Sequence, residues 1–131
     1  MTPYAMHASL PGLAFPEALD RTRRALADQG FGIPVDMDTQ AIFHQKLSRE
    51  SPARVILGAC LAPVAYEALA AEPDLAVLLP CSVAVREVEG GCEVAAVRPT
   101  ALFGLTGSLD SGHAEVVESK LRAALAALEH P

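Results

Sequence analysis

The stretch LAVLLPCSVAVREVEGGCEVAAV, residues 75–97, carries the clearest fold signal in the chain. A long apolar run, 75–88, meets the turn sequence Glu89-Gly90-Gly91-Cys92, and a second alternating run follows at 92–97. Two glycines at positions that need positive φ between two such runs predict an antiparallel hairpin. With a two-residue loop at Gly90-Gly91, Glu89 pairs with Cys92 and Val85 with Ala96. That register puts Cys81, Val83, Val85, Val94 and Ala96 on one face, assigned to the core because successive residues of a strand alternate sides. Cys92 then sits at an exposed hairpin tip.

Upstream of the hairpin, ARVILGAC at 53–60 is a nearly continuous apolar run and predicts a buried strand. An Ala-rich helix starts at Pro63 and stops before Pro73. Earlier still, Pro16 and Glu17 suit the first turn of a helix over about 16–29, with Leu19, Ala25 and Leu26 at helical spacing and Gly30 just past its end. Phe31 to Val35 predicts a strand, edge-like because of Pro34. Asp36 and Asp38 are available to cap a helix over about 39–47, whose Phe43 and Leu47 are expected to face the core. Residues 3–10 give a weak strand pattern. Downstream, Pro99 opens a short helical turn and Gly104 and Gly107 end it. Asp110 or Ser111 caps a last helix over about 112–129 with Val117, Leu121, Ala124, Leu125 and Leu128 on one side. The element order is β-α-β-α-β-α-β-β-α. The expected class is α+β: a two-layer sandwich with helices packed on one face of a mixed β-sheet, forming one domain over 1–131.

Composition narrows the function classes. With 51% hydrophobic residues, only 5% aromatic and no Trp, the core is built from Ala, Val, Leu and Ile. With a net charge of -6, the densest basic cluster, Arg21, Arg23 and Arg24, set among Asp20 and Asp28, reads as a solvated helix face and gives no basic stripe for nucleic acid. No basic leader precedes an apolar run, and no stretch reaches the roughly 18 apolar residues of a membrane span. The chain is expected in the cytoplasm, with reduced cysteines.

The blocks PEALDRTRRALADQGFGIPVDMD at 16–38, ILGACLAP at 56–63, LLPCSVAV at 78–85 and RPTALFGL at 98–105 together resemble the domain of unknown function 302 family. The likeness spans about 15–128. It implies a compact α+β sandwich with helices over one sheet face, often dimeric, and no established reaction. Two departures stand out: Ala14 occupies a position where members tend to place a Ser or Thr helix cap, and SRESPAR at 48–54 replaces a stretch that usually carries an aromatic residue.

The candidate ligand-binding residues are Cys60 and Cys81. Cys60 closes a buried strand next to the Pro63 helix, whose N-terminus favours a thiolate. The plain alternative is core packing, since cysteine is among the most buried residue types. A strand-helix-strand passage of about 30 residues usually returns the chain parallel and near its start, so the two thiols are expected within about 10 Å between Cα atoms, with Cys92 apart. Single cysteines and scattered histidines at 7, 44, 113 and 130 match no zinc spacing. His113 and His130 are expected as exposed helix-end residues. Glu87, Glu89 and Glu93 are expected to be a solvated hairpin tip. The glycines fit no phosphate loop, and Ser108 and Ser111 lack a nucleophile-elbow context. Three readings follow in order: a binding module for a small ligand or soft metal at Cys60 and Cys81, a thiol-dependent redox enzyme with Cys60 as nucleophile and Cys81 as resolving thiol, and a structural protein acting as a homodimer. The balance leans away from an enzyme, and the cofactor stays open. A homodimer is expected in each case, because a core poor in large residues seals poorly.

Overall fold

The computed structural model describes residues 2–104 and 111–131. Five strands form one sheet: β1 (Ala5–Pro11), β2 (Gly32–Asp38), β3 (Arg54–Cys60), β4 (Cys81–Val88) and β5 (Gly91–Val97), in spatial order β1-β5-β4-β3-β2. Five α-helices accompany them: α1 (Phe15–Asp28), α2 (Thr39–Leu47), α3 (Ala62–Ala71), α4 (Pro99–Phe103) and α5 (Ser111–Glu129). The α+β class and the expected order of elements hold. Every strand pair is antiparallel, however, so the sheet is not mixed. The deciding connection is the one between β3 and β4. Helix α3 and a 3-10 turn at Pro73–Leu78 pack on each other and α3 touches α5, so the segment stays at the end of the sheet where β3 stops. A chain that turns round at one end returns antiparallel; only a crossover along the whole sheet brings it back parallel.

Alternation sets the covered face. Met6, Ala8 and Leu10 on β1, Cys92, Val94 and Ala96 on β5, Cys81, Val83 and Val85 on β4, and Val55, Leu57 and Ala59 on β3 are all buried. Helices α1 and α5 cover them. On α5, Val117, Leu121, Ala124, Leu125 and Leu128 are all buried, as their spacing predicts. A fully buried Leu such as Leu121 contributes about 1.5–3 kcal/mol. Helix α1 begins at Ala14, which offers no side-chain cap. It ends on Gly30 at φ 94°, where Gly30 N–H donates to Ala27 O and Phe31 N–H to Leu26 O. That double closure seats Phe31 beside Leu26 in the core. The three arginines of α1 are solvated and locally paired: Arg21 with Glu17, Arg24 with Asp20, and Arg23 with Asp36.

The hairpin register differs from expectation by two residues. Val88 pairs with Gly91, Glu87 with Cys92, Val85 with Val94 and Val83 with Ala96. Two residues is one full period, so the faces are unchanged and the predicted core residues are buried. Cys92 is moved from the tip into the ladder, onto the core face, and is 1% exposed. The shift follows from a steric demand at Gly91. A Cβ there would lie 2.4 Å from Leu10 O and 2.8 Å from Gly12 N, because the end of β1 pairs with Gly91 and turns away at that point. Gly91 is spent on close approach, and Gly90, at φ 83°, makes the turn with Glu89.

Two further expectations fail. The segment 75–78 is a 3-10 turn rather than strand, so β4 begins at Cys81. Phe43 and Leu47 do not face the core; they are 37% and 62% exposed. Helix α2 is capped by Asp38, whose carboxylate accepts from Ala41 N–H at 3.0 Å, and it packs on the body through Thr39, which donates to Arg54 O. Its remaining residues project outward because the β2–β3 connection lies at the sheet edge, beyond α1 and α5. The proposed Asp110 cap, Gly107 and Ser108 lie outside the described residues, as does the side chain of Ser111.

Candidate functional site

Where β3 ends and β4 begins, the sheet is not sealed. A cleft of about 290 Å³ opens there, lined by Pro34 and Val35 of β2, Ala59 and Cys60 of β3, and Val64, Ala65, Ala68 and Leu69 of α3. Leu79, Pro80 and Cys81 at the start of β4, Phe103 of α4 and Val117 of α5 complete it. Its walls are aliphatic, with a single aromatic ring and two thiols. Gly58 lets the wall form: a Cβ on it would stand 2.5 Å from Pro80 Cγ and 2.8 Å from Val35 Cβ.

Both cysteines expected at a site line this cleft. Cys81 pairs with Ala59 across the β3–β4 ladder, so Cys60 is one residue along. A paired Cα distance of about 5.5 Å plus one Cα step of about 3.8 Å caps their separation at about 9 Å. The two Cα atoms are therefore close, through antiparallel pairing rather than the parallel return. By the pleat, Cys81 shares its face with Ala59 while Cys60 takes the other, and the cleft wraps the sheet end to include both. Cys81 is buried and Cys60 half-buried, and neither is in a disulfide. Burial first, and the neighbouring Cys60 second, push the Cys81 thiol up to about 11, so at neutral pH it is protonated. Cys92 stands apart on β5, where its thiol donates to Leu13 O at 3.3 Å. Burial, then the Glu87 carboxylate, raise its pKa as well.

The other candidates disperse. Among the described residues no group of three or more His, Cys, Asp or Glu side chains is gathered for a metal. His113 is a quarter exposed and lies 3.4 Å from Glu67, while His130 is exposed at the end of α5. Glu93 pairs across the hairpin with Arg86 at 2.9 Å, and Glu87 and Glu89 are solvated.

One polar device near the cleft was not read from the sequence. Glu118 on α5 accepts from Thr100 N–H at 3.0 Å and Thr100 Oγ1 at 2.7 Å, and Arg122 donates to it at 3.2 Å. Burial works to raise the Glu118 pKa, but the Thr100 and Arg122 bonds outweigh it and hold the carboxyl below its ordinary range. The clamp fastens α4, and with it Phe103, over the cleft. Thr100 and Glu118 are 18 residues apart, and no local spacing links them.

Comparisons with known proteins agree with this architecture. The family described as domain of unknown function DUF302 matches over residues 6–128. The crystal structure of an uncharacterized conserved protein DUF302 from Bacillus stearothermophilus superposes with a TM-score of 0.83. It is 23% identical and covers 95% of this chain and 98% of its own. At that identity the likeness concerns the fold. No curated protein matches the chain.

Proposed function

The chain belongs to the DUF302 family, and from that premise we propose that it is a binding module that takes a small apolar ligand in the cleft beside Cys60 and Cys81. The observation that carries this reading is the cleft itself: about 290 Å³ of open space walled by aliphatic side chains in a chain of only 131 residues. Binding sites for small molecules are concave, mostly apolar and largely preformed. The ligand class follows from the lining, which offers dispersion and desolvation and only thiols as polar groups. A soft metal is the lesser alternative. It requires thiolates, and a Cys81 thiol raised to about 11 must first lose a proton. The same protonation weighs against redox exchange with Cys81 as resolving thiol, because the thiolate is the reactive form.

The test is an NMR titration of the ¹⁵N-labelled chain with toluene. Saturable shifts at Cys60, Ala65 and Phe103, lost in Ala65→Leu, support the reading. Shifts that are absent or indifferent to Ala65→Leu refute it. Native mass spectrometry of freshly purified protein then identifies a resident ligand.

A second reading, compatible with the first, rests on a separate observation. Val35 and Met37 on β2 and Ile42, Phe43 and Leu47 on α2 are all exposed, between 37% and 62%. We propose that a second copy of the chain covers them. Light scattering at tens of micromolar should give twice 13.7 kDa, falling to 13.7 kDa in Leu47→Glu. No helix among the described residues is long and apolar enough to cross a membrane. The proposed setting is the cytoplasm, where three unpaired cysteines stay reduced.

A further inference from the structure

A second cleft, of about 280 Å³, lies between the start of β1, the end of β5 and the last turns of α5. Met6 and Leu125 contribute apolar wall; Arg98, Arg122, His7 and Glu129 contribute its polar groups. Arg98 opens the RPTALFGL segment and follows β5 directly. Its backbone is anchored, N–H donating to Tyr4 O at 2.7 Å. Its guanidinium is not: Nε is enclosed without a hydrogen-bond partner, and among the described residues no carboxylate pairs with the side chain. Every other charged group here has an occupation. Arg122 gives one of its donors to Glu118 at 3.2 Å, and Glu129 accepts from Ser9 N–H at 3.0 Å. With Arg122 paired to Glu118, Arg98 is the arginine of the cleft with no carboxylate partner among the described residues.

Arg98 is half-buried, and an enclosed donor without a partner calls for an explanation. A guanidinium is also the side chain best shaped to grip a planar carboxylate through two parallel bonds. We propose that the Arg98–Arg122 cleft binds the carboxylate of a small acid whose body is apolar. The carboxylate takes the unused Arg98 donors and the spare donors of Arg122, and the apolar body lies against Met6 and Leu125. This site is separate from the Cys60–Cys81 cleft, which has no charged group in its lining, and the two proposals stand or fall independently.

The experiment titrates the ¹⁵N-labelled chain with sodium benzoate, sodium phosphate and sodium chloride at constant ionic strength. Benzoate should give saturable shifts at Met6, His7 and Arg98, phosphate weaker ones and chloride none. Arg98→Met should weaken benzoate at least about 10-fold, as expected for a charge-assisted hydrogen bond. Because Arg98 has no partner to lose, the ligand-free variant should melt no lower than the parent. Arg122→Met gives an independent reading, with affinity lower at least about 3-fold. The proposal is overturned by shifts that chloride reproduces, by phosphate binding without benzoate binding, by benzoate shifts confined to Cys60 and Ala65, or by an Arg98→Met variant that binds unchanged.

Discussion

Cys92 and the Cys60–Cys81 pair occupy opposite ends of the same sheet, and the two ends are finished differently. At the Cys92 end β1 pairs with the hairpin and turns so closely over it that Gly91 has no room for a side chain, and Cys92 is 1% exposed. At the other end Pro80 and Val35 close over Gly58, yet α3, α4 and α5 leave about 290 Å³ between them. Cys81 and Cys92 share one face by strand alternation, and both are buried. What differs is the cover. At the Cys92 end the chain leaving β1 folds over the hairpin, Leu13 packing on the core and its carbonyl taking the Cys92 thiol, whereas at the other end a short Ala-rich helix carries side chains too small to fill the space.

The largest effect that sharpens this contrast is expected at the closed end. Gly91→Ala places a methyl against a backbone oxygen that cannot step aside, and should cost about 2–4 kcal/mol in urea unfolding. A cost below about 1 kcal/mol shows that the contact of β1 with Gly91 is loose. Next is a matched pair of enlargements. Cys92→Leu overpacks a full site and should cost about 1–3 kcal/mol. Cys60→Leu grows into the open cleft and should change stability by about 0.5 kcal/mol or less. Equal costs erase the distinction between the two ends.

The clamp that holds α4 over the open end gives a smaller, pH-dependent effect. The Glu118 pKa is lowered in the folded state, so its contribution is present above the unfolded value of about 4.3 and is lost as pH falls through the folded value. Glu118→Gln should therefore cost about 1–2 kcal/mol at pH 7, with the gap to the parent closing as the pH falls towards about 3. Thermal melts across that range check it, and a gap independent of pH assigns the effect to packing. The last effect is kinetic. Native protein treated with iodoacetamide at pH 7 should alkylate at Cys60 first, and at Cys81 and Cys92 only after unfolding. Labelling of Cys92 ahead of Cys60, read by mass spectrometry, reverses the comparison outright. Toluene in the cleft should slow the Cys60 reaction.

The cysteines also show what was legible before the structure. Val83, Val85, Val94 and Ala96 fall on the core face by parity alone. Cys92 has the parity of Val94 and Ala96, so its burial is readable from the same pattern. Its expected place at the tip fails because two glycines invite a turn centred on both. Only the pairing of β1, far away in sequence, reserves Gly91 for another purpose. Phe43 and Leu47 failed in the opposite way: their spacing is correct for an amphipathic helix, but spacing does not say whether another element arrives to cover it.

Local physics in the sequence by itself determined the α+β class, the order of the elements, the Gly30 end of α1, the Asp38 cap of α2 and the inward side of α5. Each rests on contacts within a few residues or on a period of two or 3.6. Tertiary structure decided what depends on distant segments meeting. The antiparallel β3–β4 pairing, the Thr100–Glu118 clamp, the cleft that joins Cys60 to Cys81 and the unpaired guanidinium of Arg98 belong to this second group. A void or a missing partner is a property of several segments at once, and no local pattern of residues encodes it.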